Sequence, residues 1–119
     1  MDKIQIKRPY DFEERTLQYT KDIISLVSKA QKNLSNNEIA KQLIRSAGSV
    51  GANYIEANEA LGRKDFIMHA RIARKEAKET RYWLQLLDCS ELHQPMKERL
   101  IQESTELLKI LSRIIEKSS

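Results

Sequence analysis

The chain has 119 residues, enough for one domain and too few for two of ordinary size. Charged residues make up 32% of the sequence and aromatic residues only 6%, with three glycines and two prolines, a composition typical of all-helical proteins. The net charge of +4 arises in one segment, residues 63–82, where seven basic residues outnumber three acidic ones.

The sequence argues against a membrane or secreted protein. No apolar run approaches the roughly 20 residues that span a bilayer, and the first ten residues lack the apolar block of a secretion signal. The single cysteine, Cys89, has no partner for an internal disulfide, and no Cys/His cluster has zinc-site spacing. We therefore expect a cytoplasmic protein without a membrane partner, a metal or another cofactor.

The first half of the chain predicts two helices. Helix 1 covers about residues 12–30, where apolar side chains recur at helical spacing. Helix 2 covers about residues 37–61, because Ser35 and Glu38 have the spacing of a capping box at its start and Gly62 is a natural stop after its end.

The second half predicts two more helices. Helix 3 covers about residues 65–88, with Asp65 as a cap or first-turn acid, and helix 4 covers about residues 95–116, with Pro95 in its first position. Four helices of about 20 residues joined by short loops pack as an antiparallel, up-down-up-down four-helix bundle. The sequence thus predicts an all-α fold made of a single domain, residues 1–119.

Helix 2 contains a run of small residues that includes Gly48 and Gly51. A glycine inside a helix costs about 1 kcal/mol relative to alanine, so the run indicates that something approaches the backbone closely. Helix 3 carries Ala70, Ala73 and Ala77 on its apolar face, which favours close packing of helices 2 and 3. A ligand held against bare backbone is the alternative.

Helices 1 and 4 carry apolar residues over too wide an arc for one core. A helix of a monomeric bundle needs one apolar stripe, so a second row indicates contacts between subunits. A large core with a few exposed leucines is the alternative. The predicted oligomer interface consists of Leu17, Ile24, Ile101, Leu108 and Ile115.

Helices 2 and 3 each contain a distinctive motif. The motif in helix 2 is RSAGSVGAN at 45–53 with Glu56 and Ala57, and the motif in helix 3 is DFI at 65–67, RIA at 71–73 and EAKETRYWL at 76–84. These motifs resemble those of the bacterial four-helix-bundle proteins encoded in intervening sequences of 23S ribosomal RNA genes, and the resemblance extends from Tyr10 to helix 4. The accessory variability protein of diversity-generating retroelements is similar to that family.

This resemblance implies a bundle that assembles into a ring-shaped homopentamer and has no enzymatic activity. It implies nucleic-acid binding for the intervening-sequence members, and a reverse transcriptase and RNA as partners for the retroelement protein. Two hypotheses therefore stay open: a bundle that binds structured RNA or DNA, and a protein–protein adaptor, for example one that serves a reverse transcriptase.

Helix 3 offers a surface for an anionic partner. Basic residues within an arc of about 120° on one helix can follow a phosphate backbone, and a tyrosine beside them can stack on an unpaired base. A solvated charged face is the alternative. The predicted nucleic-acid-binding residues are Lys64, Arg71, Arg74, Lys75, Lys78, Arg81 and Tyr82.

A second polar set is predicted between helices 2 and 3. We expect Asn53, Glu56 and Glu79 to form a partly buried hydrogen-bond network that sets helix register, with Arg45 or Arg81 as counter-ion. The alternative, a carboxylate pair for metal or acid–base chemistry, lacks the Glu-x-x-His pairs of di-iron bundles. Neither histidine has the neighbours that nucleophilic catalysis needs, so no catalytic residue and no enzyme is predicted.

Overall fold

The computed structural model describes residues 9–119, with side chains from Asp11 onward, so the expectation for the first ten residues lies largely outside the described residues. Over residues 9–119 the chain forms four α-helices and no strand, which confirms the all-α prediction. No helix in this range is long and apolar enough to cross a membrane. The helices are α1 (Pro9–Lys29), α2 (Leu34–Asn58), α3 (Arg63–Leu86) and α4 (Gln94–Ser118), with a 3₁₀ turn (Glu91–His93) before α4.

The two ends of α2 differ from the prediction. The helix begins earlier because Oδ1 of Asn33 accepts a hydrogen bond from the backbone N–H of Asn36 at 2.9 Å, which makes Asn33 the cap and leaves Ser35 inside the first turn. The helix ends at Asn58. Gly62 has extended backbone (φ −145°) just before α3, so it is not the predicted stop of α2.

Each of the four helices packs against two others. α2 contacts α3, α3 contacts α4, and α1 contacts both α2 and α4. Between α1 and α4, Arg15 makes a two-pronged ion pair with Glu103 at 2.7 and 2.9 Å. The buried hydroxyl of Tyr19 bonds to that of Ser104. This packing is consistent with a four-helix bundle.

The core draws on all four helices and holds one residue that was predicted to contact another subunit. Ile115 is only 5% exposed and lies in the core. The reason is the mismatch between a seven-residue row and the helical repeat of 3.6, which turns the row by about 20° per heptad. Ile101 and Leu108 are partly buried against the core, and Ile115, at the end of the row, has turned into it.

The two glycines of α2 have different surroundings. A Cβ added to Gly51 would lie 2.9 Å from Oγ1 of Thr16, so this glycine accommodates α1. Gly48 is exposed, and a Cβ there would meet no atom within 4 Å. The predicted fit of both glycines against the alanines of α3 is therefore wrong, although those alanines are fully buried.

Candidate nucleic-acid interface

The basic residues of α3 form an exposed group and an anchored group. Arg74 donates from Nη1 to Oγ of Ser112 at 3.3 Å, and Arg81 donates from Nη1 to Oγ1 of Thr105 at 3.1 Å. Both arginines are half-buried, and both acceptors lie on α4. Their guanidinium groups are therefore held at the α3–α4 contact. The exposed group consists of Arg63, Lys64, Arg71, Lys75 and Lys78.

A groove of about 500 Å³ lies between α3 and α4, and we call it the cationic groove. Five basic side chains and no acidic one line it, together with Leu108 and Ser112 of α4. A concave surface lined by one sign of charge concentrates the electrostatic potential, and ionised donors bind phosphate oxygens strongly. Its basic residues are Arg71, Arg74, Lys75, Lys78 and Arg81.

α4 adds two basic residues that the sequence analysis missed. Lys109 and Arg113 line an adjoining depression of about 460 Å³, which also holds Arg81 and one acidic residue, Glu116. Their spacing of four residues places Lys109 and Arg113 on one helix face, and this signal was present in the sequence. What the sequence lacked was the packing of that face beside α3. The basic surface therefore involves two helices.

Tyr82 lies next to Trp83 and outside the lining of the cationic groove. Tyr82 is 56% exposed, and its ring meets the ring of Trp83 edge to face, with centroids 5.2 Å apart. Trp83 packs against the core and donates its indole N–H to Glu79 at 2.9 Å. The exposed tyrosine therefore rests on a fixed support, an arrangement that suits stacking on an unpaired base.

Arg45 links α2 to α3 through two carboxylates. Its guanidinium bonds to Glu76 at 3.3 Å and also to Glu79. The hydrogen bond from Trp83, together with the contact from Arg45, lowers the pKa of the Glu79 carboxyl. The Arg45 side chain stays 48% exposed, so this cluster lies at the surface, with Glu76 as its buried member. Exposed ion pairs add at most about 1 kcal/mol, so the cluster orients helices more than it stabilises them.

The other two residues of the predicted polar network lie apart from Arg45. Asn53 donates to Ser49 in the preceding turn, and its Oδ1 lies 3.3 Å from Nδ1 of His69. Glu56 lies three residues after Asn53 in α2, so its side chain points about 60° away from that of Asn53 around the helix axis. Glu56 is exposed there. Within residues 9–119, no group of three or more His, Cys, Asp or Glu side chains is arranged to hold a metal ion.

The residues of the predicted oligomer interface fall into two sets. Leu17 is 55% exposed and Ile24 is 48% exposed, both on α1. Ile101 and Leu108 are partly buried against the core of their own chain, and Ile115 is inside it. The row on α1 is therefore more accessible to a second subunit than the row on α4.

Comparisons with known proteins show which family this chain matches. Residues 10–113 match the family model described as 23S rRNA-intervening sequence protein. The chain is also similar to a crystal structure of a protein of unknown function from the S23 ribosomal protein family of Bacteroides thetaiotaomicron. The two share 36% sequence identity over 91% of this chain and 97% of that chain, with a TM-score of 0.75. The comparison with curated proteins gives no match.

Proposed function

Because the chain belongs to the 23S rRNA-intervening sequence protein family, we propose that it is a non-enzymatic, self-assembling four-helix bundle that binds RNA through the cationic groove. The observation that carries this proposal is the anchoring of Arg74 and Arg81 by hydroxyl groups of α4. Two fixed guanidinium groups lose little conformational freedom when they meet phosphates, so more of the contact energy becomes affinity. The proposal includes a cytoplasmic location, since ribosomal RNA is made and folded inside the cell.

Recognition through this groove depends on the backbone of the RNA more than on its bases. The groove offers guanidinium and ammonium donors suited to phosphate oxygens, and such contacts position a nucleic acid without reading its sequence. Tyr82, beside the groove, adds stacking on an unpaired base, and stacking tolerates any base. A structured RNA with an unpaired loop offers both a helical backbone and accessible bases.

The proposal also includes an antiparallel bundle and a homopentameric assembly. The antiparallel arrangement is supported by contacts between α2 and α3, where Arg45 meets Glu79 but Asn53 meets His69. Residues later in α2 thus meet residues earlier in α3. Self-assembly is supported by the exposed Leu17 on α1. A pentamer would repeat the cationic groove five times and raise the local potential.

The test is the affinity for a labelled RNA hairpin, measured across a salt series. Affinity should fall steeply with salt, and Arg74→Ala combined with Lys78→Ala should reduce the slope by about two, roughly one for each lost phosphate contact. The charge reversals Arg74→Glu and Lys78→Glu together should abolish binding while helicity and assembly remain. The matched control replaces two exposed cations with alanine: Lys29, the last residue of α1, and Lys32, in the loop that follows.

Two results would contradict the proposal. Retained affinity in the charge-reversal variant would exclude the cationic groove as the RNA site. The absence of any binding at low salt would favour the adaptor hypothesis, in which an acidic protein such as a reverse transcriptase occupies the same surface. A partner that co-purifies without nucleic acid and dissociates at high salt would then identify that role.

A further inference from the structure

The outward face of α3 has exposed apolar surface at both ends. Met68 is 48% exposed near the start of the helix, and Tyr82 is 56% exposed near its end, with Leu86 (48% exposed) one turn beyond. Met68 and Tyr82 are 14 residues apart, which is nearly four helical turns. Their side chains therefore point within about 40° of each other and lie about 21 Å apart along the helix axis.

Met68 lines a groove of about 950 Å³ at the start of α3, which we call the α3 pocket. Ile67 and Ile72 add to its apolar lining, and both are partly buried. Such a space between apolar side chains suits a nucleobase that has left its stack. Three basic side chains also line the pocket: Lys64, Arg71 and Lys75.

The α3 pocket is continuous with the cationic groove. Arg71 and Lys75 line both of them, and Lys78 lies between Lys75 and Tyr82 along α3. Steps of three or four residues place these cations on one face of the helix, about one per turn. A row of positive charge therefore joins the α3 pocket to the tyrosine.

A carboxylate also lies on this face. Glu79 comes one turn before Tyr82, and its side chain bonds to the guanidinium of Arg45. Lys75, one turn before Glu79, adds a second favourable interaction with the same carboxylate. The charge of Glu79 is therefore offset by cations on two sides, and a phosphate backbone can pass it.

Cations at each turn between two apolar surfaces suit a single nucleic-acid strand. The phosphates of such a strand meet the cations, and its unpaired bases stack on the side chains at both ends. A duplex keeps its bases paired and stacked inside, so it would leave both apolar surfaces unused. An acidic peptide would satisfy the cations but offers no flat group for the tyrosine.

We propose that the RNA bound by this protein is an unpaired segment that lies along α3, with one base in the α3 pocket and another on Tyr82. Nucleotides stacked in one strand rise about 3.4 Å each, so the distance of about 21 Å corresponds to about six nucleotides. This inference rests on the RNA binding proposed above. It names the class of RNA that the site accepts, which is a loop or a single strand.

Asp65 gives the α3 pocket a preference among bases. Its side chain is 53% exposed, and it lies within about 60° of Met68 and Ile72 around the helix axis. Oδ1 of Asp65 lies 3.6 Å from Nε2 of His69, which leaves Oδ2 for a ligand. A carboxylate accepts a hydrogen bond from the amino group of cytosine and repels the carbonyl oxygen that uracil carries at that position. The pocket therefore favours cytosine over uracil.

The first experiment measures the affinity of the full chain for three labelled RNA probes at low salt. The probes are an oligocytidylate, an oligouridylate and a blunt duplex, each of about twelve nucleotides per strand. The oligocytidylate should bind about tenfold more tightly than the duplex, since two stacked bases add to the phosphate contacts. It should also bind several-fold more tightly than the oligouridylate, because the two pyrimidines differ at the group that faces Asp65.

Three variants test the separate contacts. Tyr82→Ala should lower the affinity for the oligocytidylate about five- to a hundredfold, the loss of one stacked base, and Met68→Ser should lower it by at least about fivefold. Both should keep the salt slope, because no cation is lost. Asp65→Asn should remove the preference for cytosine, because an amide can also donate to uracil. Leu92→Ser, at a residue 80% exposed in the 3₁₀ turn, is the matched control and should change nothing.

Different failures have different meanings. Wild-type protein that binds no probe at low salt would overturn RNA binding itself and this inference with it. A duplex bound as tightly as the single strands would leave RNA binding in place and overturn this inference, as would unchanged affinity in Met68→Ser or in Tyr82→Ala. Weaker binding by Met68→Ser with a lower mass in light scattering would assign Met68 to a contact between copies, and would also overturn it. Equal affinity for the two single strands would overturn the role of Asp65.

Discussion

Thr16 and Gly51 face each other across the α1–α2 contact, where a Cβ on Gly51 would lie 2.9 Å from Oγ1 and 3.3 Å from Cβ of Thr16. Thr16 is only 1% exposed, and its hydroxyl donates to the carbonyl of Glu13 at 2.9 Å, so it has little room to move. Gly51 is therefore a packing residue within the chain. Gly48, in the same helix, has no such neighbour.

We expect Gly51→Ala to destabilise the protein. The overpacking against Thr16 costs about 1–3 kcal/mol, which outweighs the gain of about 1 kcal/mol in helix propensity. The measurement is the free energy of unfolding by chemical denaturation, with Gly48→Ala as the control that gains about 1 kcal/mol. Equal stabilisation by both alanines would show that α1 and α2 do not approach closely at Gly51.

The buried phenol of Tyr19 makes the free energy of unfolding depend on pH in the alkaline range. Burial raises the pKa of its phenol well above the usual value near 10, so the folded state keeps the proton that the unfolded state loses. The free energy of unfolding therefore keeps its full value below about pH 10 and falls as pH rises above it, by up to about 1.4 kcal/mol per pH unit.

The variant Tyr19→Phe isolates this effect. At pH 8 it should cost about 1 kcal/mol, because the bond between Tyr19 and Ser104 is lost. Above about pH 10 its unfolding free energy should fall less steeply than that of the wild type, because phenylalanine has no proton to lose. Urea denaturation between pH 8 and 11.5 measures both curves. Parallel curves across that range would contradict the assignment.

The hydroxyl groups of α4 allow the anchoring of the arginines to be tested without changing any charge. Replacing Thr105 with valine and Ser112 with alanine releases Arg74 and Arg81. Each freed side chain must then be ordered on binding, at a cost of about 0.5–1.5 kcal/mol. RNA affinity should therefore be lower by a factor between about five and about a hundred when both arginines are released. The salt dependence should keep its slope, because the number of cations is the same. Unchanged affinity would mean that the anchors do not matter, and a changed slope would mean that the groove itself has rearranged.

The helices themselves were predictable because their signals are local. Apolar spacing identified four helical segments, Asp65 lies in the first turn of α3, and Pro95 lies at the start of α4. The basic residues of α3 were identifiable for the same reason, since positions three and four apart on one helix share a face. These features depend on neighbours within a single turn, and the sequence determines them directly.

The tertiary structure decided which faces meet. Sequence spacing places a residue on its own helix but does not say how the neighbouring helix is rotated or shifted along it. Gly51 therefore has Thr16 as its neighbour and not the alanines of α3, and Arg74 is held by a serine 38 positions away. The drift of the row Ile101, Leu108 and Ile115 follows from the helical repeat, but the packing of α4 decided that the core begins at Ile115. A packed core accepts only the rotations that fill its volume, and that constraint involves all four helices at once.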